Sequence, residues 1–205
     1  MTTGPHKIWD ERYAQTDFVY GTAPNAFFAK NIENLPTGKW LFSAEGEGRN
    51  AVYAAEKGHE VHAFDISVEG KKKAEQLAHT KGVNIHYHVC DAFDFPIVPY
   101  EYDGLAIIFN HFSKQMQPAI FSHLIRGIKP GGKVLFQCFS EGHLPYREKS
   151  NVGGPPSMDL LYNLQEVKQF FAGFKTLHLE EHEVILSEGK YHDGMGLVIS
   201  GIFEK

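Results

Sequence analysis

Short apolar runs alternate with amphipathic stretches along most of the chain. The predicted strands cover residues 39–44, 59–65, 83–90, 102–109 and 133–139, and the predicted helices cover residues 49–57, 68–81 and 114–128. Strands that alternate with helices form right-handed βαβ units, which place a mostly parallel sheet between two helical layers. The pattern therefore predicts an α/β protein.

The pattern changes after a helix predicted at residues 164–171. Two further strands, at 175–186 and 196–203, are separated by the short connection SEGKYHDGM. That connection is too short for a helical crossover, so we expect the two strands to pair antiparallel. The sequence thus predicts a Rossmann-like doubly wound seven-stranded sheet, mostly parallel, with an antiparallel C-terminal strand pair.

The chain shows no repeats and no low-complexity linker, which favours a single domain over residues 1–205. Within it we expect an N-terminal helical segment at 1–37 and a Rossmann-like core at 38–205. The loop at 141–160 contains Gly-Gly-Pro-Pro and is predicted to be a mobile flap, because glycine permits motion while the prolines stiffen its exit.

Composition narrows the choice of partners. The 205 residues carry a formal net charge of −5, whereas proteins that bind nucleic acid along its backbone normally have a basic patch. No apolar run approaches the roughly 20 residues of a membrane span. We therefore expect a cytoplasmic protein, monomer or homodimer, that binds a small molecule and neither nucleic acid nor membrane.

The stretch FSAEGEGRN joins the first predicted strand to the first helix of the alternating part. Gly46 and Gly48 would let the backbone turn tightly beside a ligand, although a glycine turn of this kind also serves helix–strand packing alone. No Gly-Lys-Ser/Thr follows, and Glu45 and Glu47 would oppose a pyrophosphate. A cationic ligand fits better: S-adenosylmethionine carries a sulfonium, an ammonium and one carboxylate that Arg49 could pair.

The next two strands end in acids. Asp65, followed by Ile66, is placed to accept hydrogen bonds from both ribose hydroxyls. Asp91 is placed to accept from an adenine amino group, while Ala92 and Phe93 flank the ring. Each acid alone is as readily a helix cap or a loop acid. A glycine turn and two acids at three successive strand ends together favour the cofactor.

These features resemble the class I S-adenosylmethionine-dependent methyltransferases, and most nearly the small bacterial group that includes the tellurite-resistance type. The resemblance covers nearly the whole chain and is carried by WDERYAQTDFVYGTAPNAFF, AEGEGRNAVYAAEKGHEVHAFDIS, FNHFSKQMQPAIFSHLIRGIKPGGKVLFQCFS, GGPPSMDLLYNLQEVKQFF and SEGKYHDGMGLVISGIFEK. Two positions depart from the family pattern: Phe42 stands where an acid is usual, and Ala44 where a glycine is usual.

The resemblance implies a cofactor site and a lid. The methionine portion would lie against the Glu45–Arg49 turn, the ribose against Asp65 and the adenine against Asp91. Asn110 would lie beneath the sulfonium. Tyr20 and Gly21 would fold over the cofactor, which makes residues 1–37 a lid segment.

Methyl transfer needs positioning more than acid–base groups, because the cofactor supplies the reactive centre. Asn110 and His111 follow the fourth strand, where His111 could take a proton or orient an acceptor, or simply begin a helix. His192 precedes the last strand on the same side of the sheet, and a solvent-exposed turn histidine is the alternative. His86 and His88 share a strand face without a third ligand, so we predict no metal site.

The sequence therefore predicts an enzyme that transfers a methyl group to a small acceptor: a metalloid oxyanion, a thiol, or a small amine or hydroxyl. Two alternatives remain. One is a binding module that senses S-adenosylmethionine without turnover, and the other is an NAD(P)-dependent oxidoreductase of related topology.

Overall fold

The computed structural model describes residues 4–150 and 152–205. Seven strands form one sheet in the order β3-β2-β1-β4-β5-β7-β6. The strands are β1 (Lys39–Ser43), β2 (Glu60–Asp65), β3 (His86–Val89), β4 (Tyr102–Ile108), β5 (Ile128–Phe139), β6 (Lys175–Ser187) and β7 (Asp193–Glu204). The first five run parallel, while β7 pairs antiparallel with both β5 and β6. The predicted fold class is confirmed.

Seven α-helices lie between the strands or before them, within the described residues. They are α1 (Pro5–Tyr13), α2 (Ala26–Ile32), α3 (Arg49–Glu56), α4 (Val68–Lys81), α5 (Gln117–Leu124), α6 (Leu144–Lys149) and α7 (Leu164–Phe170). α4 shows why these boundaries form: the Ser67 side chain accepts the Gly70 N–H at its start, and Gly82 ends it at φ 70°, a conformation that favours glycine.

Several predicted boundaries were wrong by three residues or more, and two of them have a clear physical reason. The helix predicted at 114–128 begins only at Gln117, because Ser113 and its neighbours form a turn and Pro118 favours the first turn of a helix. The strand predicted from residue 133 begins at Ile128, which already pairs with Tyr102 of β4 across an irregular register.

The core is split between the two faces of the sheet. One face packs Phe64 and Phe136 against α5 and α7, and the other packs Phe28 of α2 against Trp40 and Phe42 of β1. Phe42, where the family resemblance places an acid, is fully buried on this second face with its ring 5.6 Å from that of Phe28. Its side chain therefore belongs to the core and not to a ligand site.

Candidate functional site

The crevice between β1 and β4 is the natural place for a ligand. β2 and β3 lie to one side of β1, and β5 lies on the far side of β4, so the strand order reverses between these two central strands. In open α/β sheets a ligand binds beside such a switch point, outside the carboxyl ends of the strands. The predicted site residues cluster around this crevice, with the exceptions described below.

The glycine turn after β1 is required by packing on both sides. Gly46 and Gly48 have φ values of 60° and 84°, which favour glycine. A Cβ on Gly48 would lie 2.5 Å from the Ala74 Cβ of α4, and one on Gly46 would lie 2.5 Å from the Tyr13 hydroxyl of α1. The predicted turn is present, and it brings α1 and α4 close to the strand end.

Glu45 caps a helix with one of its carboxylate oxygens. Oε1 accepts hydrogen bonds from the backbone N–H groups of Asn50 (2.9 Å) and Ala51 (2.8 Å), in the first turn of α3. Burial raises the pKa of Glu45 to about 7, although these two hydrogen bonds and Arg49 act in the opposite direction. The side chain thus holds the turn in place.

The expectation that Glu47 faces a cationic ligand was wrong. Its Oε1 pairs with the Lys73 ammonium at 2.8 Å, while its Oε2 accepts the backbone N–H groups of Val19 (2.8 Å) and Tyr20 (3.2 Å). All of these partners lie in α4 or in the N-terminal segment. Glu47 therefore holds the segment after α1 against the core. Of the two glutamates in the turn, only Glu45 remains as support for a cationic ligand.

Asp65 lies at the end of β2, covered by α1. Its Oδ2 accepts the Gly46 N–H at 3.0 Å and its Oδ1 accepts the Ser67 N–H at 2.9 Å. Burial raises its pKa to about 6 against these backbone hydrogen bonds. Asp10 of α1 binds the same corner, because its Oδ1 accepts from the Ser67 hydroxyl at 2.6 Å.

The residues predicted to hold adenine lie one strand further out. Asp91 is exposed and accepts the Phe93 N–H at 3.1 Å, so its hydrogen bond stays within its own turn. Ala92 is buried in the core beside Phe64, while Phe93 is 38% exposed. The end of β3 reaches β2 through the backbone, since the Cys90 N–H donates to the Asp65 carbonyl.

An ion pair across the crevice was missed by sequence reasoning. Arg49 at the start of α3 donates to the Glu188 carboxylate at 2.8 Å; Arg49 is buried and Glu188 is partly buried. His192 Nδ1 lies 3.2 Å from the same oxygen. Burial alone would raise the pKa of Glu188, but Arg49 and His192 outweigh it and lower that pKa to about 2. The only signal in the sequence was an acid in the connection between the last two strands.

Asn110 and His111 follow β4 on a strained piece of backbone. Phe109 and Ala44, at the ends of β4 and β1, have φ values of 54° and 47°, which are uncommon for residues other than glycine. The Asn110 amide donates to the Ser43 hydroxyl at 2.8 Å. Burial lowers the pKa of His111 to about 3, with His192 and Arg12 adding to the shift.

The N-terminal segment supplies an aromatic wall. The Tyr20 ring lies 4.6 Å from that of His192, and its hydroxyl accepts from Arg12 at 2.8 Å. The Arg12 guanidinium also lies 5.2 Å from the Trp9 ring and 5.1 Å from the Tyr191 ring. Among the described residues it has no carboxylate within ion-pair distance.

Gly21 closes the wall against the β6–β7 connection. Its φ of 69° favours glycine, and a Cβ on Gly189 would lie 2.6 Å from the Gly21 nitrogen. The Lys190 N–H also donates to the Val19 carbonyl at 3.0 Å. The two segments therefore meet above the crevice with their backbones in close contact.

Three buried polar atoms in the crevice lack a hydrogen-bond partner. They are Nη1 of Arg49, Oδ1 of Asn110 and Nε2 of His111; over residues 4–150 and 152–205 only Tyr162 has another such side-chain atom. Buried polar atoms are normally paired, so a concentration of unpaired ones indicates a missing ligand. One donor, one acceptor and one imidazole nitrogen suit the carboxylate and ammonium of S-adenosylmethionine, so the residues present fit this cofactor.

A match to a known family covers part of the chain. Residues 42–132 match a family described as a methyltransferase domain. No curated protein matches the chain. Within the described part of the chain, no helix is long and apolar enough to cross a membrane.

Three solved structures illustrate the likeness in fold. One, from a study of the conversion of a disulfide bond into a thioacetal group during echinomycin biosynthesis, has 18% identity and a TM-score of 0.78, with coverage of 98% of this chain and 92% of that one. TehB from Haemophilus influenzae has 16% identity and a TM-score of 0.71, covering 98% and 66%. A SAM-dependent methyltransferase from Methanosarcina mazei has 16% identity and a TM-score of 0.64, covering 89% and 98%.

The fold, the crevice and the family match lead to the same class of protein, and they favour it over the nicotinamide-dependent alternative. Residues 42–132 match the methyltransferase-domain family, and the chain has the class I methyltransferase fold, which supports an enzyme that uses S-adenosylmethionine as its cofactor.

Proposed function

We propose that this enzyme methylates a small acceptor that reacts as an anion, such as a thiolate or a metalloid oxyanion, in preference to an amine. The observation that carries the proposal is the Arg12 guanidinium, which lies between the rings of Trp9 and Tyr191 with no described carboxylate to neutralise it. Its charge is felt at His111, whose pKa it helps to lower. A positive field of this kind stabilises an anionic nucleophile and disfavours an ammonium.

His111 supports an acceptor that arrives already deprotonated. A general base is most effective when its pKa lies near the working pH, and burial lowers the pKa of His111 to about 3. The imidazole is therefore neutral and holds an added proton poorly. Its unpaired Nε2 is suited to a hydrogen bond that orients the acceptor. We assign His111 this orienting role, and we assign His192, fixed by Glu188, the role of supporting the wall.

The cofactor supplies an electrophilic methyl group on a sulfonium, transferred by in-line displacement. For its binding we propose that Arg49 Nη1 donates to the carboxylate, that Asn110 Oδ1 accepts from the ammonium and that Asp65 accepts from the ribose. Asp91, Ala92 and Phe93 remain our proposal for the adenine side. Arg49 and Asn110 would use polar atoms that have no hydrogen-bond partner, and Asp65 would accept a further hydrogen bond besides the one from Gly46.

We further propose that residues 1–37 form a lid. Asp65 is only 6% exposed, beneath α1 and the Tyr13 side chain, so a ligand reaches it only if α1 moves. Trp9 lies on α1 with its ring 5.5 Å from that of His111. The chain has two tryptophans, and the other, Trp40, is fully buried in the core. A change in Trp9 fluorescence during titration with S-adenosylhomocysteine, absent from Trp9→Phe, would report this movement.

The acceptor class is tested with radiolabelled S-adenosylmethionine and a panel of acceptors at equal concentration. The panel contains a small thiol, selenite, tellurite, a primary amine and an alcohol. We expect label in the thiol or oxyanion product, at a rate that rises with pH as the acceptor loses its proton. Faster labelling of the amine would contradict the proposed acceptor class and leave the methyltransferase assignment intact.

The role of His111 is tested by comparing His111→Gln with His123→Gln. Glutamine keeps a neutral hydrogen-bonding group, so an orienting role predicts a loss of kcat of about tenfold or less, whereas a general base is typically worth 10²–10⁴-fold. His123 contacts the Phe95 carbonyl outside the crevice and serves as the control. A loss of more than a hundredfold would overturn the orienting role.

A further inference from the structure

Three potential metal ligands meet at the amino end of the sheet, opposite the crevice. Glu60 and His62 lie near the start of β2, and His86 is the first residue of the edge strand β3. His62 and His86 are directly paired in the parallel register, so their side chains share one face. Neither histidine takes part in the site described above.

The distances between these side chains suit a shared ion. One ligand atom from each of the three residues lies within 4.8 Å of the others, and His62 Nε2 is 3.1 Å from Glu60 Oε1. The two imidazole rings are 4.8 Å apart between centroids. Zinc binds imidazole nitrogen and carboxylate oxygen at about 2.0–2.2 Å, so closing the site needs only small rotations. Glu60 and His86 are exposed and free to make them.

The charges around the cluster leave Glu60 available to a cation. Lys39 lies 3.2 Å from Glu60 but 2.6 Å from Glu101. A metal ion can therefore take Glu60 while Lys39 keeps its stronger acidic partner.

We propose that Glu60, His62 and His86 form a binding site for a divalent transition metal ion, with Zn²⁺ as the reference ion. Two imidazoles and one carboxylate form a donor set used by zinc, and three protein ligands leave one position for water. The ion would join the edge strand β3 to β2. From the sequence we considered only His86 and His88, which lie on one strand, and predicted no metal site. The sheet instead pairs His86 with His62 on the neighbouring strand.

The test is Zn²⁺ titration of the untagged full chain by calorimetry, followed by thermal unfolding with and without Zn²⁺. Loss of one direct ligand should weaken binding by more than the 10–100-fold that loss of an outer-shell partner produces. We expect this in both His62→Gln and His86→Gln, together with loss of the rise in Tm caused by Zn²⁺. His88→Gln is the matched control, because His88 is on the same strand outside the cluster, and it should bind like the parent.

A second group of histidines makes the test stricter. His178 and His182 on β6 both approach Glu180, at 3.3 Å and 4.0 Å. The double variant His178→Gln/His182→Gln should retain the tight site. If this variant loses Zn²⁺ binding, or if His62→Gln and His86→Gln both retain it, the proposal is overturned. Lys39→Gln should tighten binding, because it removes a competing positive charge.

Discussion

The two ends of the sheet use similar side chains in opposite ways. At the carboxyl end Arg49 and Asn110 are buried and His111 is partly buried, and each has a buried polar atom without a partner. At the amino end Glu60 contacts both His62 and Lys39. At the carboxyl end, polar atoms without hydrogen-bond partners are covered by protein. At the amino end, the cluster is open to solvent.

Strained backbone borders the crevice at the carboxyl end of the sheet. Ala44 and Phe109 adopt left-handed φ values at the carboxyl ends of β1 and β4. Such conformations persist only where the surrounding structure holds them. Here the neighbouring chain is held by hydrogen bonds, because the Phe109 N–H donates to the Gln137 carbonyl and the Asn110 amide donates to the Ser43 hydroxyl. The amino end also has one such residue, Tyr100 at φ 58° before β4, but it lies at the opposite end of that strand from the crevice, so substitutions there should matter much less to cofactor binding.

Arg49→Met should have the largest effect on cofactor binding. The substitution removes the guanidinium that we propose binds the carboxylate of the cofactor. It also leaves the partly buried Glu188 carboxylate without its ion-pair partner. A charge-assisted hydrogen bond contributes about 1.5–3 kcal/mol, which corresponds to a roughly tenfold to hundredfold loss of affinity for S-adenosylhomocysteine. Calorimetry measures the loss directly.

The double variant Arg49→Met/Glu188→Met separates binding from folding. Removing one partner of a buried ion pair is destabilising, whereas replacing both by apolar residues is often neutral. We expect urea unfolding to show recovery of stability in the double variant without recovery of binding. Recovery of both would mean that Arg49 acts only through the ion pair and does not contact the cofactor.

Gly46→Ala should destabilise the carboxyl end through the contact with α1. The new methyl group would combine a strained φ of 60° with a clash 2.5 Å from the Tyr13 hydroxyl. Gly82→Ala is a close control, because its φ is 70° but no atom lies within 4 Å of the added carbon. Strained backbone costs on the order of 1–3 kcal/mol, and we expect Gly46→Ala to exceed its control by about 1 kcal/mol in urea unfolding. Equal losses of stability in the two variants would mean that α1 shifts away from the new methyl group without a cost in free energy.

The sequence was informative where pattern and topology decide the structure. Periodicity predicted seven strands, and the short connection before β7 predicted antiparallel pairing. A position beside the crevice was predictable where a residue ends or follows a strand, as for Asp65 and Asn110. Contacts between distant segments were not, because Glu188 lies 139 residues beyond Arg49 and no local pattern relates them. Glu47 was misread for the same reason, since its partners lie in α4 and in the N-terminal segment.

Glu45→Gln tests the effect of burial at the carboxyl end through pH. The folded pKa of Glu45 is raised to about 7 from an ordinary value of 4.5, so the folded chain retains its proton more tightly than the unfolded chain. Its contribution to stability is therefore greatest below pH 4.5 and is lost as pH rises to about 7. Glutamine does not titrate and still accepts the Asn50 and Ala51 N–H groups.

The stability of Glu45→Gln relative to the parent should consequently rise between pH 4.5 and 7 and then level off. The expected rise in the difference is on the order of 1 kcal/mol, measured by urea unfolding at pH 5 and pH 8. Other titrating groups are present in both proteins and largely cancel. A difference that does not change with pH would show that Glu45 is ionised throughout this range.

His86→Gln should have the smallest effect on cofactor binding and completes the comparison of the two ends. His86 is exposed at the amino end of β3, separated from Asp91 by the length of the strand. Surface substitutions of this kind usually change stability by no more than about 0.5 kcal/mol. We therefore expect affinity for S-adenosylhomocysteine to change by less than about twofold, by calorimetry, in buffer with a chelator. A larger loss would mean that the two ends are coupled through β2 and β3, and that the amino-end cluster influences the crevice.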